Sequence, residues 1–254
     1  MALFVDGPAS TIDDLTAQDS GLLEVAQICE INTTTKIALA HDELEIDLQL
    51  WLDRPRPTME LVFGPPLRLG QVVVTRPLKR WETITALAMF YRDAYFSQLV
   101  DRYQARWDEY SKLKRDAYEQ FLASGLGIVG SPVPKASMPQ LGVIAGPQQG
   151  GTFYASVAWV NSAGQEGAPS TAVSIAVANN NLMTVTAVNP PANATGFNVY
   201  AGSSVTGLVA QNNVPLPQGS GFTYTPGFTT EGRSPGHGQA PDYVRPLART
   251  LLRG

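Results

Sequence analysis

Between Trp81 and Phe121 the apolar residues fall at Trp81, Ile84, Ala88, Tyr91, Tyr95, Leu99, Tyr103, Trp107, Tyr110, Leu113, Ala117 and Phe121, every step three or four residues. That is the helical period. No Gly or Pro interrupts the run, and charges of both signs fill the positions between. The pattern predicts one amphipathic helix about 60 Å long, at about 1.5 Å rise per residue. Globular helices average about three turns. A stripe of this length cannot be buried inside a small domain by the helix alone. It requires helical neighbours, either in the same chain or in another copy of it.

The rest of the N-terminal half is read around that helix. Thr11 followed by Asp13 and Asp14 predicts a capped helix start, because a hydroxyl accepts from free N–H groups and acids suit the positive end of the dipole. Ser20 is placed to cap a second helix from Leu22 to Ile28. Asn32 is placed to cap a third, which runs to about Leu52 with Ile37, Ala40, Leu44, Leu48 and Trp51 on one face. The acids Asp42, Glu43, Glu45 and Asp47 lie mostly off that face and read as a solvated surface. Arg54-Pro55-Arg56-Pro57 ends the helix. Val72-Val73-Val74 is short enough for a strand fragment or a packed loop. Pro77 suits the first turn of the long helix, and Gly125 and Gly127 can stop it.

After residue 125 the period changes. Residues 126–140 hold Gly127, Gly130, Pro132, Pro134 and Pro139 and read as a stiff linker. Beyond them apolar residues alternate at period two through 153–160, 172–177 and 197–200, with a last short run at Phe222 and Tyr224. Turn residues separate these runs: Gly164 and Gly167, Asn179-Asn180-Asn181, Asn189-Pro190-Pro191, Gly202 and Gln218–Gly221. Short strands at such spacing predict an antiparallel β-sandwich. The expected class is therefore α+β and multidomain. An all-α helical domain spans 1–125, a linker 126–140, a sandwich 141–227 and an extended basic tail 228–254.

Charge is unevenly spread around a mild net −4. Residues 1–53 carry eleven acids against Lys36 alone, whereas 54–80 carry Arg54, Arg56, Arg68, Arg76, Lys79 and Arg80 against Glu60. Only Glu166 is charged between 151 and 227. In an assembly, an acidic head and a basic neck can meet between adjacent copies and set their orientation. Arg76, Lys79 and Arg80 are candidate interface residues on that ground. Trp81, Tyr91, Tyr95, Tyr103 and Trp107 form the packing stripe, within one subunit or across a subunit boundary. The tail ends in Tyr243-Val244-Arg245-Pro246-Leu247-Ala248-Arg249-Thr250-Leu251-Leu252-Arg253. Tyr243, Leu247 and Leu251 read as apolar anchors, and Arg245, Arg249 and Arg253 as partners for acids on another protein, with ordering on binding.

No catalytic constellation emerges. His41 sits in an acidic helix and His237 in a glycine-rich tail, and no Gly-x-Ser-x-Gly elbow is present. Gly125-Leu126-Gly127-Ile128-Val129-Gly130 has the glycine spacing of a dinucleotide fingerprint, yet it follows a helix and precedes prolines. Asp13-Asp14 is better explained by the helix start than by acid–base work. Cys29, the one cysteine, reads as a small core residue and excludes an internal disulfide. The triplets at Asn32 and Asn193 match the glycosylation pattern by chance. The expectation is a non-enzyme without metal or cofactor, with neither a signal peptide nor a membrane span.

Two stretches carry a resemblance. Val72-Val73-Val74-Thr75-Arg76-Pro77-Leu78-Lys79-Arg80-Trp81, followed by Tyr91-Arg92-Asp93-Ala94-Tyr95, Arg102-Tyr103 and Trp107-Asp108-Glu109-Tyr110, resembles the helical head-to-tail connector (adaptor) proteins of tailed bacteriophages. The start, Val5-Asp6-Gly7-Pro8 with Thr11-Ile12-Asp13-Asp14-Leu15, is similar to how several of them begin. Gly151–Tyr154, Trp159–Ser170 and Ala194–Tyr200 look like the fibronectin type III or Ig-like modules of phage structural proteins. The resemblance implies a virion neck protein that is made in the host cytoplasm. It implies a homo-oligomeric ring, commonly of twelve copies, beneath the portal protein and in contact with tail or further neck proteins. Genomic DNA passes through the hole without being read. A surface protein that binds a receptor or glycan through the β module and trimerises through the helices is the competing class. The long helix lacks sustained heptads of Leu, Ile or Val, which disfavours a trimeric coiled coil. A peptidoglycan-cleaving adaptor would need a catalytic Glu in a cleft, and none can be named.

Overall fold

The computed structural model describes residues 2–53, 67–224 and 232–247. Among them are five α-helices followed by antiparallel sheets, an α+β chain. The helices are α1 (Ile12–Gln18), α2 (Leu22–Ile28), α3 (Thr33–Asp53), α4 (Arg76–Gln98) and α5 (Asp101–Ser124). The strands are β1 (Leu126–Ile128), β2 (Gln140–Ala145), β3 (Gly151–Asn161), β4 (Val173–Val177), β5 (Asn181–Thr186), β6 (Ala194–Gly202), β7 (Val209–Ala210), β8 (Leu216–Pro217), β9 (Gly221–Thr223) and β10 (Tyr243–Arg245). The chain divides into a helical unit, residues 7–128 with the segment from 241 onward, and a β unit, residues 129–240 with residues 1–6.

The single long helix is not what forms. The run from Trp81 to Phe121 breaks at Leu99, which takes a left-handed conformation (φ 52°), and Val100, which is extended. α4 and α5 are therefore an antiparallel hairpin. The reason lies in what the stripe gains. Folding back stacks Trp81 on Phe121 (5.2 Å between centroids), Tyr91 on Tyr110 (5.4 Å) and Tyr95 on Trp107 (6.1 Å). A left-handed leucine costs about 1–2 kcal/mol. Burying each large apolar side chain returns roughly as much or more, so the closed stripe outweighs one strained turn.

α4 is the centre of the helical unit, since every residue from Trp81 to Ala88 is buried. α3 packs along it through Ile37, Ala40, Leu44, Leu48 and Leu52, with Leu52 in the place expected for Trp51. Lys36 pairs with Asp93 of α4, and Lys114 of α5 pairs with Glu43. Thr11 caps α1 as expected, in a capping box with Asp14. Asn32 Oδ1 accepts from the Thr35 N–H at the start of α3. Ser20 does not cap α2. Gly21 occupies the cap, and Asp19 Oδ1 accepts its N–H (3.0 Å).

Gly125 ends α5 at φ 79°, where a Cβ would come within 2.6 Å of the Arg245 carbonyl oxygen. β1 follows and pairs antiparallel with β10 in the register Leu126↔Arg245, Gly127↔Val244, Ile128↔Tyr243. Val72 bridges Ile128 from the other side, so the valine run is a strand fragment on this small sheet. The chain thus leaves the helical unit at one end of a strand pair and returns at the same end. Residues 129–240 are an insertion between two paired strands, in contrast to the terminal module expected from the sequence.

In the β unit, one sheet runs β2-β5-β9 and the other β4-β3-β6-β7, with β8 also on β6. All pairings are antiparallel. One apolar cluster draws Met183 and Val185 from the first sheet and Val157, Trp159, Phe197 and Val199 from the second. Trp159 meets Phe197 edge-on at 5.6 Å. The expected linker is not one. Val129 and Val133 are fully buried, and Val133 and Ala136 belong to the same cluster. Gln239, from the expected free tail, is buried too and accepts the Val133 N–H. Residues 228–231 and 248–254 of that tail lie outside the described residues.

The insertion has a direct test. A chain in which residues 7–128 are joined to 241–254 through a short Asn-Gly turn should keep the helical far-ultraviolet spectrum and melt cooperatively, because β1 and β10 then form an ordinary hairpin. Loss of cooperative melting in that chain contradicts the insertion topology.

Candidate assembly interface

α3 is apolar on two opposite faces. At roughly 100° per residue, Leu39, Ile46 and Leu50 centre about 160–180° away from the buried row. Leu39 is 44% exposed, Ile46 63% and Leu50 59%. Asp42 and Asp53 flank this second stripe on one side and Glu43 and Asp47 on the other. Burial, with the Glu43 charge adding to it, pushes the Asp47 carboxyl above its ordinary value. A further apolar group, Phe96, Leu99 and Val100, stands exposed at the α4–α5 turn. Isolated surface leucines need no explanation, whereas an apolar row rimmed by charge is the composition of a contact surface.

The aromatic stripe belongs to the subunit itself. Trp81 is buried against Tyr118 and Phe121 and is not a surface residue. Tyr91 and Tyr110 both donate to Asp19 Oδ2, at 2.6 and 3.2 Å. Burial and the Asp19 carboxylate push both phenols well above their ordinary range, so they remain donors. Tyr103 is buried, and Arg102 donates to its hydroxyl (2.6 Å) from over its ring. Tyr95 and Trp107 are half-buried, with Phe96 against Trp107 at 5.8 Å. These two alone of the stripe reach the surface, beside the exposed turn.

Arg54 and Arg56 of the basic neck lie outside the described residues, and the others separate into two kinds of residue. Lys79 lies 2.8 Å from Asp14 inside the same subunit. Burial raises the Asp14 carboxyl, and hydrogen bonds from Lys79 and Thr11 outweigh it, leaving the group below its ordinary value. Arg76 and Arg80 are exposed. Cations at a helix N-terminus oppose the dipole by about 0.3–1 kcal/mol each, so the fold of α4 gains nothing from them there. In the tail, Tyr243 and Val244 are exposed on β10, while Arg245 and Leu247 are half-buried. The strand is already ordered by β1, which corrects the expectation that it orders only on a partner. Arg249, Leu251 and Arg253 lie outside the described residues.

Sequence reasoning missed Asp19, the second stripe of α3 and the turn. The α3 stripe had a readable signal, the steps of seven and four between Leu39, Ile46 and Leu50. Asp19 had none, since its partners are distant in the chain. Among the described residues no group of three or more His, Cys, Asp or Glu could hold a metal ion, and no helix is long and apolar enough to cross a membrane. No protein-family model matches the chain, and no curated protein matches it.

Changing Arg76 and Arg80 together to Glu should not lower stability and should raise it by about 0.5–1 kcal/mol or more, because the reversal removes an unfavourable charge from the helix N-terminus and adds a favourable one. Asp14→Asn should cost about 0.5–1 kcal/mol through the cap and the screened ion pair. Because the Asp14 carboxyl is lowered in the fold, its advantage over Asn is complete above the unfolded carboxylate value near 3.9. It disappears as the pH falls through the lower folded value. Urea titrations at neutral and strongly acid pH check both statements.

Proposed function

We propose that this protein is a structural subunit of a phage virion, a head-to-tail adaptor that forms a ring below the portal and lets DNA pass without reading it. The observation that carries the reading is the second apolar face of α3, closed by nothing within the described subunit and bordered by acids. Its occupant is the next copy of the same chain. A heterologous contact of this kind closes into a ring when the rotation between copies is right. Arg76 and Arg80, which do not serve α4, supply positive charge for an acidic surface, and the acids beside α3 are one such surface. The sequence resemblance to connector proteins over residues 1–125 supports the same assignment and suggests twelve copies, with portal and tail or neck proteins above and below. Tyr95, Trp107 and the exposed residues of β10 are the further candidates for those contacts.

The β unit is read as a sandwich of the fibronectin III or Ig-like type. Two antiparallel sheets that share one apolar cluster around a buried Trp159 support this. As an insertion it decorates the ring and is not needed to close it.

Light scattering and electron microscopy of the purified protein test the reading. Wild type should form rings, alone or on portal-bearing heads. The variant carrying Ile46→Asp and Leu50→Asp should stay monomeric with an unchanged helical spectrum, because both residues are exposed in the free subunit. Wild type that remains monomeric in both settings, or rings that survive both aspartates, overturns it.

A further inference from the structure

The β unit carries charge sparingly, and the residues around its lone carboxylate between 151 and 227 are arranged about an open pocket. The pocket is about 400 Å³ and is bounded by Asn198, Asn212, Asn213, Arg233, Ala210 and Pro215. Its floor is fixed. Asn198 is buried, donates to Glu166 Oε2 (2.9 Å) and accepts from Asn212 Nδ2 (2.9 Å). Asn212 Nδ2 also donates to the Val214 carbonyl (2.8 Å), and its Oδ1 accepts the Val199 N–H (2.7 Å). Arg233 Nη2 donates to Glu166 Oε2 (2.7 Å) and to the Tyr200 hydroxyl (2.8 Å), and Tyr200 donates to Glu166. These bonds hold the guanidinium by one nitrogen. Nε and Nη1 of Arg233, and the whole amide of Asn213, have no partner among the described residues.

The chemistry of the lining selects a ligand class. Ala210 and Pro215 offer little apolar surface, so a hydrophobic ligand is poorly served. Arg233 and Glu166 cancel, and any ion drawn by one meets the other, so neither an anion nor a cation is favoured. What remains is the free amide of Asn213, which both donates and accepts, beside the separate Nε–H and Nη1–H groups of Arg233, over a floor of amides already bonded to one another. A hydroxyl also both donates and accepts, so two neighbouring hydroxyls on a ring can take one N–H of Arg233 and the amide of Asn213. Ligand pockets span roughly 300–1,000 Å³, and this one lies at the small end, with room for one or two sugar rings. We infer that the β unit binds a neutral saccharide in this pocket, with vicinal hydroxyls on Arg233 and Asn213 and the ring seated against Asn198 and Pro215.

The inference is independent of ring formation, and its test uses the whole chain. Saturation-transfer NMR and calorimetry are run against the methyl glycosides of glucose, galactose, mannose, rhamnose and N-acetylglucosamine. Inorganic phosphate and the dipeptide glycyl-asparagine represent the other ligand classes. At least one glycoside should bind with a Kd of about 10 mM or tighter, the range of a single small polar site. Arg233→Met and Asn213→Ala should each weaken it about tenfold or more. Asn213→Ala breaks no internal hydrogen bond, so its melting temperature should match wild type even if Arg233→Met loosens the fold. Absence of binding to every glycoside, binding that both variants retain, or binding of phosphate or the dipeptide in place of sugar each overturns the inference.

Discussion

One carboxylate ties the helical unit together. Asp19, in the turn between α1 and α2, accepts from Tyr91 on α4 and Tyr110 on α5 with one oxygen and from the Gly21 N–H with the other. The two phenol rings stack within 9° of parallel. The charged end of Asp19 is therefore fully occupied where water is excluded, and it stays in place because three donors converge on it. Removing it would leave two buried hydroxyls without acceptors at the middle of the hairpin. The register of α4 on α5, the position of the turn at Leu99 and the route of the chain between α1 and α2 all meet at this atom group. A second buried acid, Glu82, fixes the neighbouring region in the same manner, accepting from the Ser10 N–H and facing His41 Nδ1 at 3.0 Å.

The helical half was legible as a pattern but not as a path. The stripe from Trp81 to Phe121 is real, and its period survives the break, because an antiparallel return keeps the same face toward the partner helix. Periodicity is blind to such a turn when neither Gly nor Pro marks it. A different signal was present: Trp81/Phe121, Tyr91/Tyr110 and Tyr95/Trp107 are disposed nearly symmetrically about residue 101. In the β half, alternation revealed β3, β4, β6 and β9. It missed β5, although Met183 and Val185 alternate, and β2, which is mostly exposed and lacks a buried row. Gly and Pro in 126–140 suggested a linker. Instead Val129, Val133 and Pro139 are buried, with Pro132 and Pro134 half-buried beside them, a tertiary outcome that local composition does not encode.

Charge told a similar story. The acidic head and basic neck are visible in the sequence, yet some of their members already have partners within the helical unit. Lys79 takes Asp14, Lys36 takes Asp93 and Lys114 takes Glu43. Among the described residues, what stands at the surface without such a partner includes Arg68, Arg76 and Arg80 on one side and Asp42, Asp47 and Asp53 beside the α3 stripe on the other. The candidate site is thus narrower than the composition implied. Its apolar centre lies on a helix whose inward face alone had drawn notice.

The insertion also fixes an order of events during synthesis. β1 is made long before β10, and all of residues 129–240 must be translated in the interval, on the order of ten seconds at ordinary rates. Until then the strand after α5 lacks its outer partner, and closing so long a loop costs entropy that a folded β unit reduces by shortening the effective loop. Residues 2–6 wait as well, since Asp6 accepts from the Lys135 N–H. Each unit holds a piece of chain made at the opposite end from most of its own, and the helical unit is completed only after the whole β unit has been translated. A nascent chain interrupted inside the β unit therefore lacks β10, and the strand after α5 keeps one edge without its partner.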